Sequence, residues 1–278
     1  TYTEKVWGIK CTDIRAEWAA QRIKGLTLPA AVRNALFPPR GDVIKTLIKE
    51  FHYPVLGPGM MWEKVAKGLL KQGYRVIAFD QRGYGESDML EGKENYKISD
   101  LVEDVCSLLD VMGTHEPLRI LSHDWGALIG WSVAINHPDK VKSLMAVSVG
   151  HPGSYAKSGI YQKLGKGFYT LWFQLKYLSE FYLLNGGFKL WGASHPELDK
   201  VMADMSRKGR LTAALNWYRA NLIEGILSEW PKCKVPTLGV WSSKDRYLTE
   251  AQMANSERYM EAPWEYRRIE NVGHWIPL

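Results

Sequence analysis

The sequence predicts an α/β fold, with a mostly parallel central sheet, helices on both of its faces and an inserted helical cap. From Gly73 onwards, short apolar runs alternate with segments of helical periodicity, the pattern of a parallel sheet covered on both sides. Residues 153–231 break this alternation, because they show helical patterns and no obvious strand. A chain of 278 residues is long enough to bury the core of such a domain.

Five apolar runs are the predicted strands, and they read YRVIAFD (74–80), LRILSHD (118–124), VKSLMAVSVG (141–150), VPTLGVWSS (235–243) and WEYRRIENV (264–272). Three segments with helical spacing lie among them, at 98–113, 125–138 and 249–260. In the first of these helices, Ser99 is a candidate N-cap and Gly113 lies past the end. Strands that alternate with helices in this order favour a parallel sheet.

The predicted cap, residues 153–231, is rich in aromatic residues. Eleven of the 33 aromatic residues of the chain lie within 37 residues of it, from Tyr155 to Trp191. These rings either form the core of a helical subdomain or line an apolar pocket beneath a lid, and the two interpretations are compatible. The predicted division is therefore a core of residues 1–152 and 232–278, in which the first 50 residues show no clear pattern, with the cap inserted between them.

Composition excludes several classes of function. The net charge is +6 without any block of like charge, so scattered solvated lysines and arginines are favoured over a nucleic-acid or membrane-binding site. Cys11, Cys106 and Cys233 lie far apart, which indicates a reducing compartment and neither a disulfide framework nor a metal site. No apolar stretch of membrane-spanning length and no signal peptide is evident, so we expect a cytoplasmic protein. The chain lacks a dinucleotide fingerprint, and we expect no cofactor.

The stretch LSHDWGALIG, residues 121–130, contains the strongest chemical signal. Asp124 follows a predicted strand and precedes a predicted helix, with the small residues Ser122 and Gly126 two positions on either side. This is the pattern of a nucleophile elbow, in which a sharp turn projects the nucleophile above the carboxyl ends of the strands. Ser122 and His123 cannot form a triad with Asp124, because consecutive strand residues point to opposite faces. We interpret Ser122 as a small elbow residue and His123 as a packing or hydrogen-bonding residue.

Partners for Asp124 are expected further along the chain, in the order nucleophile, acid, histidine. Asp245 follows the strand that ends in LGVWSS, and His274 follows the strand that ends in IENV. Both lie just past the carboxyl ends of strands, so we expect them at the same edge of the sheet as Asp124. A loop carboxylate without a catalytic role is the alternative for Asp245.

The chain from Tyr74 onwards, about 200 residues, resembles the α/β-hydrolase superfamily, and within it the epoxide hydrolases and haloalkane dehalogenases. SHDWGA resembles the elbow of these enzymes, and DQRGYGESD resembles the loop that follows their preceding strand. The resemblance implies an α/β-hydrolase fold and an aspartate nucleophile. ALNWYRANL resembles the cap motif of epoxide hydrolases, which assigns a ring-opening role to Tyr218. FYTLWFQ resembles their second tyrosine segment and nominates Tyr169. Lid packing is the alternative for both tyrosines.

The resemblance implies a two-step hydrolysis. Asp124 opens an epoxide and forms an alkyl ester, and water activated by His274 then hydrolyses the ester while Asp245 orients the imidazole. The backbone N–H of Trp125 is a candidate oxyanion donor. The expected partners are water and a small apolar epoxide, with aromatic epoxides among the candidates. A haloalkane dehalogenase, or a hydrolase-fold protein that binds a ligand with little turnover, remains an alternative.

One family motif is incomplete in this sequence. The family carries an H-G-x-P segment whose third residue supplies a second oxyanion N–H, whereas FHYPVLGPG lacks the glycine. His52 and Tyr53 are the nominated oxyanion or substrate-binding residues, and the glycines of GPG at 57–59 are the alternative. The family pattern also leads us to expect one more helix after His274 than this sequence contains.

Overall fold

The computed structural model describes residues 59–113, 116–159, 161–191 and 195–277. Contacts divide the chain into two units, one made of Pro54–Ser107 and Glu116–Leu278 and the other of Thr1–Tyr53 and Leu108–His115. The candidate site and the surfaces below all belong to the first of these units. The predictions for His52, Tyr53 and the first 50 residues lie outside the described residues.

The described sheet has four parallel strands in the order β1-β2-β3-β4, namely β1 (Leu118–His123), β2 (Val141–Val147), β3 (Thr237–Ser242) and β4 (Trp264–Ile269). The register places Ser122 opposite Ala146, and Val147 opposite Val240. The carboxyl ends of the four strands therefore meet at one edge, as the sequence predicts. Four of the five predicted strands are confirmed, and so is the parallel α/β class.

The first predicted strand, YRVIAFD, is not a strand in this structure. Residues 74–80 have no regular secondary structure, and no strand in the described part of the chain pairs with them. Tyr74 and Phe79 are exposed. An apolar run forms a strand only where a neighbouring strand supplies hydrogen bonds, and this requirement cannot be read from the run itself.

Helices flank the strands, with α1 (Gly59–Lys71), α2 (Ile98–Val111), α3 (Trp125–Asn136) and α10 (Glu250–Ala254) in the sheet region. Helix α3 is apolar all round, and its buried residues include Ile129 and Trp131. The N-cap prediction for Ser99 is wrong, because Ser99 lies inside α2. The backbone N–H of Ile98 instead donates to Asn221 Oδ1 at 2.8 Å, so a side chain from a distant helix satisfies this helix start.

Between β2 and β3, the described residues from Pro152 to Leu227 form helices joined by turns. The α-helices are α4 (Pro152–Ala156), α5 (Tyr169–Trp172), α6 (Leu178–Tyr182), α7 (Phe188–Trp191), α8 (Leu198–Met205) and α9 (Arg210–Leu227), with π-helical turns at Tyr161–Lys166 and Leu183–Gly187. This helical segment has its own buried cluster, in which Phe173, Leu183 and Leu215 contact the rings of Tyr169 and Tyr218. Among the described residues, no helix has the length and apolar character needed to cross a bilayer.

Candidate active site

Asp124 occupies the sharp turn between β1 and α3. Its backbone has φ 52° and ψ −124°, a conformation that is strained for any residue other than glycine. The turn is held because Asp124 N–H donates to Val147 O, and the N–H groups of Ala127 and Leu128 donate to Asp124 O. The side chain of Asp124 remains 35% exposed. The chain therefore presents a carboxylate at the carboxyl edge of the sheet, as an elbow requires.

The small residues near the turn differ in whether packing requires them to be small. A Cβ at Gly130 would lie 2.7 Å from Ser122 Oγ, so this glycine and the small side chain of Ser122 let α3 pack closely on β1. A Cβ at Gly126 would meet only Gln81 Nε2, at an ordinary 3.7 Å. The steric part of the elbow pattern therefore rests on Ser122 with Gly130, and among the described neighbours nothing requires a glycine at 126.

Asp245 lies in the turn after β3 and is buried. Its Oδ1 accepts hydrogen bonds from the N–H groups of Tyr247 and Leu248, at 2.8 and 2.9 Å. Its Oδ2 lies 2.8 Å from Nδ1 of His274. Lys166 donates to the Asp245 and Leu248 carbonyls and so ties this turn to the helical segment. Both carboxylate oxygens thus have partners, and the orientation of the carboxylate is fixed.

His274 connects the two aspartates. Its Nε2 lies 3.4 Å from Asp124 Oδ1, while Nδ1 contacts Asp245 on the opposite side of the ring. The carbonyl of His274 accepts a 2.8 Å hydrogen bond from His123 Nε2 and a longer one from Ser148 Oγ. The predicted trio of Asp124, Asp245 and His274 is thus brought together. His123 has the hydrogen-bonding role expected of it, and its partner is the backbone of His274.

The charges of this trio stabilise one another. Burial lowers the pKa of His274, but its hydrogen bonds to Asp124 and Asp245 outweigh burial and raise the pKa to about 9. Burial raises the pKa of Asp124, but the hydrogen bond and the positive charge of His274 outweigh it and lower the pKa to about 2. Burial lowers the pKa of His123 to about 4, so that ring is neutral at pH 7 and donates its Nε2–H to the His274 carbonyl. At neutral pH the resting site holds an Asp124 carboxylate and an imidazolium.

The Asp124 carboxylate faces a cavity of about 110 Å³ with mainly apolar walls. Tyr169 and Tyr218 both line it, and their ring centroids lie 6.0 Å apart. Burial raises the pKa of each phenol well above the ordinary value of 10, and the Asp124 charge adds to this effect. Both phenols are therefore protonated at neutral pH and able to donate hydrogen bonds. The structure brings both nominated tyrosines to the cavity that the Asp124 carboxylate faces.

Trp125 contributes through its backbone and its side chain. Its backbone N–H hydrogen-bonds the Asp124 carboxylate, which is the position expected of an oxyanion donor. Its indole packs edge-on against Tyr218, with ring centroids 4.9 Å apart, and hydrogen-bonds the Tyr218 phenol. The indole therefore takes part in positioning the tyrosine.

Sequence reasoning missed the contacts that hold the two tyrosines. Arg219, next to Tyr218 on α9, donates to the Phe173 carbonyl at 2.8 Å and forms a two-pronged ion pair with Glu180 at 2.7 and 3.0 Å. Both partners are largely buried, at 5% and 14% exposure. This pair joins the helix of Tyr218 to the segment that follows Tyr169. The arginine belongs to the quoted cap motif, but no local signal identifies Glu180 as its partner.

Leu248 and Trp230 had no sequence signal as cavity residues, and nothing distinguished Tyr155 from the other rings of the aromatic segment. Tyr155, Leu248 and Trp230 line the cavity from three separate segments. Their positions depend on how the helical segment packs above the sheet, which no local pattern encodes. Among the described residues, no group of three or more His, Cys, Asp or Glu side chains could hold a metal ion.

Comparisons with known proteins agree with this fold. A family model described as the alpha/beta hydrolase fold matches residues 56–278. The Bacillus subtilis protein named AB hydrolase superfamily protein YfhM is 33% identical over 229 residues, which cover 77% of this chain and 79% of that protein. Epoxide hydrolase 3 of Xenopus tropicalis is 30% identical over 222 residues, 73% of this chain and 60% of that protein, so the chain spans under two thirds of this relative.

A solved structure is also similar. The crystal structure of epoxide hydrolase A from Mycobacterium thermoresistibile superposes with a TM-score of 0.65 and is 26% identical, covering 81% of this chain and 83% of that one. The fold predicted from the alternation of strands and helices is confirmed by this likeness. The resemblance drawn from the elbow and cap motifs is confirmed as well.

Proposed function

Because the chain belongs to the α/β-hydrolase family, we propose that it is an epoxide hydrolase that opens epoxides to vicinal diols through an ester on Asp124. The observation that carries this proposal is the placement of the Asp124 carboxylate between His274 and a cavity lined by two protonated phenols. Relatives and structural neighbours named epoxide hydrolases support it. No cofactor enters the proposed steps.

In the first step a carboxylate oxygen of Asp124 attacks an epoxide carbon, and the bond from that carbon to the ring oxygen breaks. The ring oxygen takes the electron pair and receives a proton from Tyr218 or Tyr169. Asp124 is ionised at neutral pH because its pKa is about 2, so the attack needs no base. The phenols lower the barrier because they stabilise negative charge that develops only as the ring opens.

Ester formation then changes His274 from an acid to a base. The ester carries no charge, so the interaction with Asp124 that raises the pKa of His274 is lost. His274 releases its proton, which restores the phenol that donated one. Neutral His274, held by Asp245, can then accept a proton from water. This coupling explains how a histidine with a resting pKa of about 9 can serve as the base of the second step.

In the second step water loses a proton to His274 and attacks the carbonyl carbon of the ester. The tetrahedral oxyanion is stabilised by the Trp125 N–H. The intermediate collapses, and the bond between the ester carbon and the substrate oxygen breaks. The departing alkoxide takes the proton of the newly formed Asp124 carboxylic acid, and the diol leaves. Asp124 is again a carboxylate and His274 again an imidazolium. The second oxyanion donor remains a prediction, for which the sequence nominates Tyr53 or the GPG segment at 57–59.

We also propose that residues 153–231 act as a cap over the nucleophile. Tyr169, Thr170 and Tyr218 from this segment line the cavity together with Asp124. Two phenols in this position favour an epoxide over a haloalkane, because a departing halide needs no proton. The apolar walls favour a small apolar epoxide.

The test is a single-turnover trapping experiment with styrene oxide, a small aromatic epoxide. We expect His274→Gln to accumulate an ester on Asp124, detectable by mass spectrometry of the digested protein, whereas Asp124→Asn forms none. His137→Gln, which changes a histidine at the end of α3, should turn over normally and accumulate no ester. Halide release from a haloalkane without diol formation would favour the dehalogenase. Saturable binding without an adduct would favour a ligand-binding protein, and either result would refute the proposal.

A further inference from the structure

The helical segment between Tyr161 and Leu184 exposes an unusual amount of apolar surface. Nine of the sixteen strongly exposed large apolar side chains in the described part of the chain lie within these 24 residues. Tyr161, Tyr177 and Phe181 are 66%, 74% and 67% exposed. Single exposed apolar residues are ordinary on protein surfaces, but a concentrated patch marks an interaction site. We call these exposed side chains the 161–184 surface.

This surface is one side of a segment that is apolar on both sides. Apart from Tyr177, the exposed residues recur every three or four positions along the short helices and turns from Tyr161 to Leu184. Phe173 and Leu183, which fall between these positions in the sequence, lie in the buried cluster of the helical segment. The inner face is therefore satisfied by the protein, whereas the outer face is left to solvent or to a partner.

The exposed charged side chains within this stretch are positive. Lys157, Lys176 and Lys189 are exposed along this stretch. From His151 to Trp191 the sequence contains a single acidic residue, Glu180, and its side chain is largely buried against Arg219. Two copies of the chain that met through this stretch would bring its lysines together, and the stretch itself offers no exposed carboxylate to pair with them. Anionic lipid headgroups supply the missing negative charge.

We propose that the 161–184 surface docks on anionic membrane surfaces, with Leu178 and Phe181 inserted among the lipid chains and the lysines at the headgroups. The tyrosines at positions 161 and 177 suit the boundary, because their rings are apolar and their hydroxyls are polar. The net charge of the whole chain gave no reason to expect this. The feature that indicates it is the concentration of apolar and cationic side chains in one segment, seen only once burial is known.

The same surface lies close to the cavity that Asp124 faces. A second pocket, of about 400 Å³, is lined by Tyr161, Lys166 and Phe168 and also by Tyr169. Tyr169 lines the cavity of Asp124 as well, so its ring borders both spaces. Docking would place this pocket against the lipid phase, where apolar epoxides concentrate. Delivery of substrate by this route rests on the proposed function, whereas docking itself does not.

The test measures co-sedimentation of the chain with vesicles of phosphatidylcholine alone, or of phosphatidylcholine mixed with phosphatidylglycerol. We expect binding to the mixed vesicles, with partitioning reduced at least about tenfold by Leu178→Ser/Phe181→Ser, because two large apolar side chains no longer insert. Lys176→Glu/Lys189→Glu should also reduce it more than about tenfold, since each lysine near the surface contributes about fivefold. High salt should weaken binding.

A matched control removes two exposed apolar side chains elsewhere. Leu70→Ser/Met89→Ser should bind vesicles like the unaltered chain. Thermal melting and turnover of a water-soluble epoxide, measured for every variant, show that folding and the active site are intact. Vesicle binding without any turnover would leave docking standing and refute the proposed function.

Absence of vesicle binding, or equal binding by the surface variants and the control, would overturn the docking proposal. A dimer that Leu178→Ser/Phe181→Ser dissociates, in a chain that does not bind vesicles, would assign the surface to a second copy and would also overturn it.

Discussion

The release of a proton from His274 on esterification predicts how Asp124→Asn changes the histidine. Asparagine has the shape of the carboxylate but no charge, so the variant resembles the ester in charge. Two unit charges 3.4 Å apart interact by roughly 5 kcal/mol at an effective dielectric constant of about 20. Because the Asp124 side chain is 35% exposed, we halve this for solvent screening to about 2.5 kcal/mol. The pKa of His274 should then fall from about 9 to about 7.

The assay is an NMR titration of the His274 imidazole in the unaltered chain and in Asp124→Asn. Glu250→Gln is a matched control, because Glu250 is also a 35% exposed carboxylate in an ion pair, with Arg268. This control should leave the pKa of His274 near 9. If Asp124→Asn also leaves it near 9, Asp245 alone retains the proton. Ester formation would then not produce the base, and the proposed coupling would be refuted.

Three further predictions concern the tyrosines, the buried ion pair and pH. Tyr218→Phe and Tyr169→Phe should each slow ester formation about 10²-fold or more in a stopped-flow burst, with little effect on hydrolysis of an ester already formed; equal slowing of both steps would contradict the ring-opening role. Glu180→Gln should lower the free energy of unfolding by about 3–5 kcal/mol in urea, because it leaves the buried charge of Arg219 without a negative partner. As a control, Glu197→Gln removes a carboxylate from a more exposed pair and should cost less than about 1 kcal/mol. Because the pKa of His274 is raised on folding, its protonation stabilises the fold fully below pH 6.5, and this stabilisation is lost as pH rises through about 9. The melting temperature of His274→Gln should therefore approach that of the unaltered chain above pH 9. A gap in melting temperature that stays constant with pH would contradict this.

The meeting of Asp124, Asp245 and His274 could be predicted because each of them follows a strand. Asp124, Asp245 and His274 end three apolar runs, and parallel strands bring their carboxyl ends to one edge. The chain order of the trio then limited the choice of partners. Where geometry follows from topology in this way, a sequence pattern is enough to bring distant residues together.

Features that depend on tertiary packing could not be predicted. Whether YRVIAFD forms a strand depends on a hydrogen-bonding neighbour, and the start of α2 depends on Asn221 from α9. The steric need for a small side chain proved to involve Gly130 rather than Gly126, because α3 packs on β1 one turn further along. No periodic pattern or local motif in the sequence predicts any of these contacts.

The same distinction applies to the aromatic helical segment at 153–231. Its aromatic richness was evident, but the sequence could not separate rings that line the cavity from rings on the surface. Tyr169 and Tyr177 are both tyrosines of one short stretch, yet the first borders the cavity and the second is 74% exposed. The positive φ of 68° at Tyr177 interrupts the helical course between them, so helical periodicity alone could not assign their directions.

The central claim is that Asp124 forms a bond to the substrate, and isotope transfer from water tests it most directly. In a single turnover in H₂¹⁸O, water attacks the ester carbonyl, so the heavy oxygen should appear in the Asp124 peptide and the first diol should be unlabelled. A labelled diol together with an unlabelled Asp124 would show that water attacks the epoxide itself, and would contradict the account.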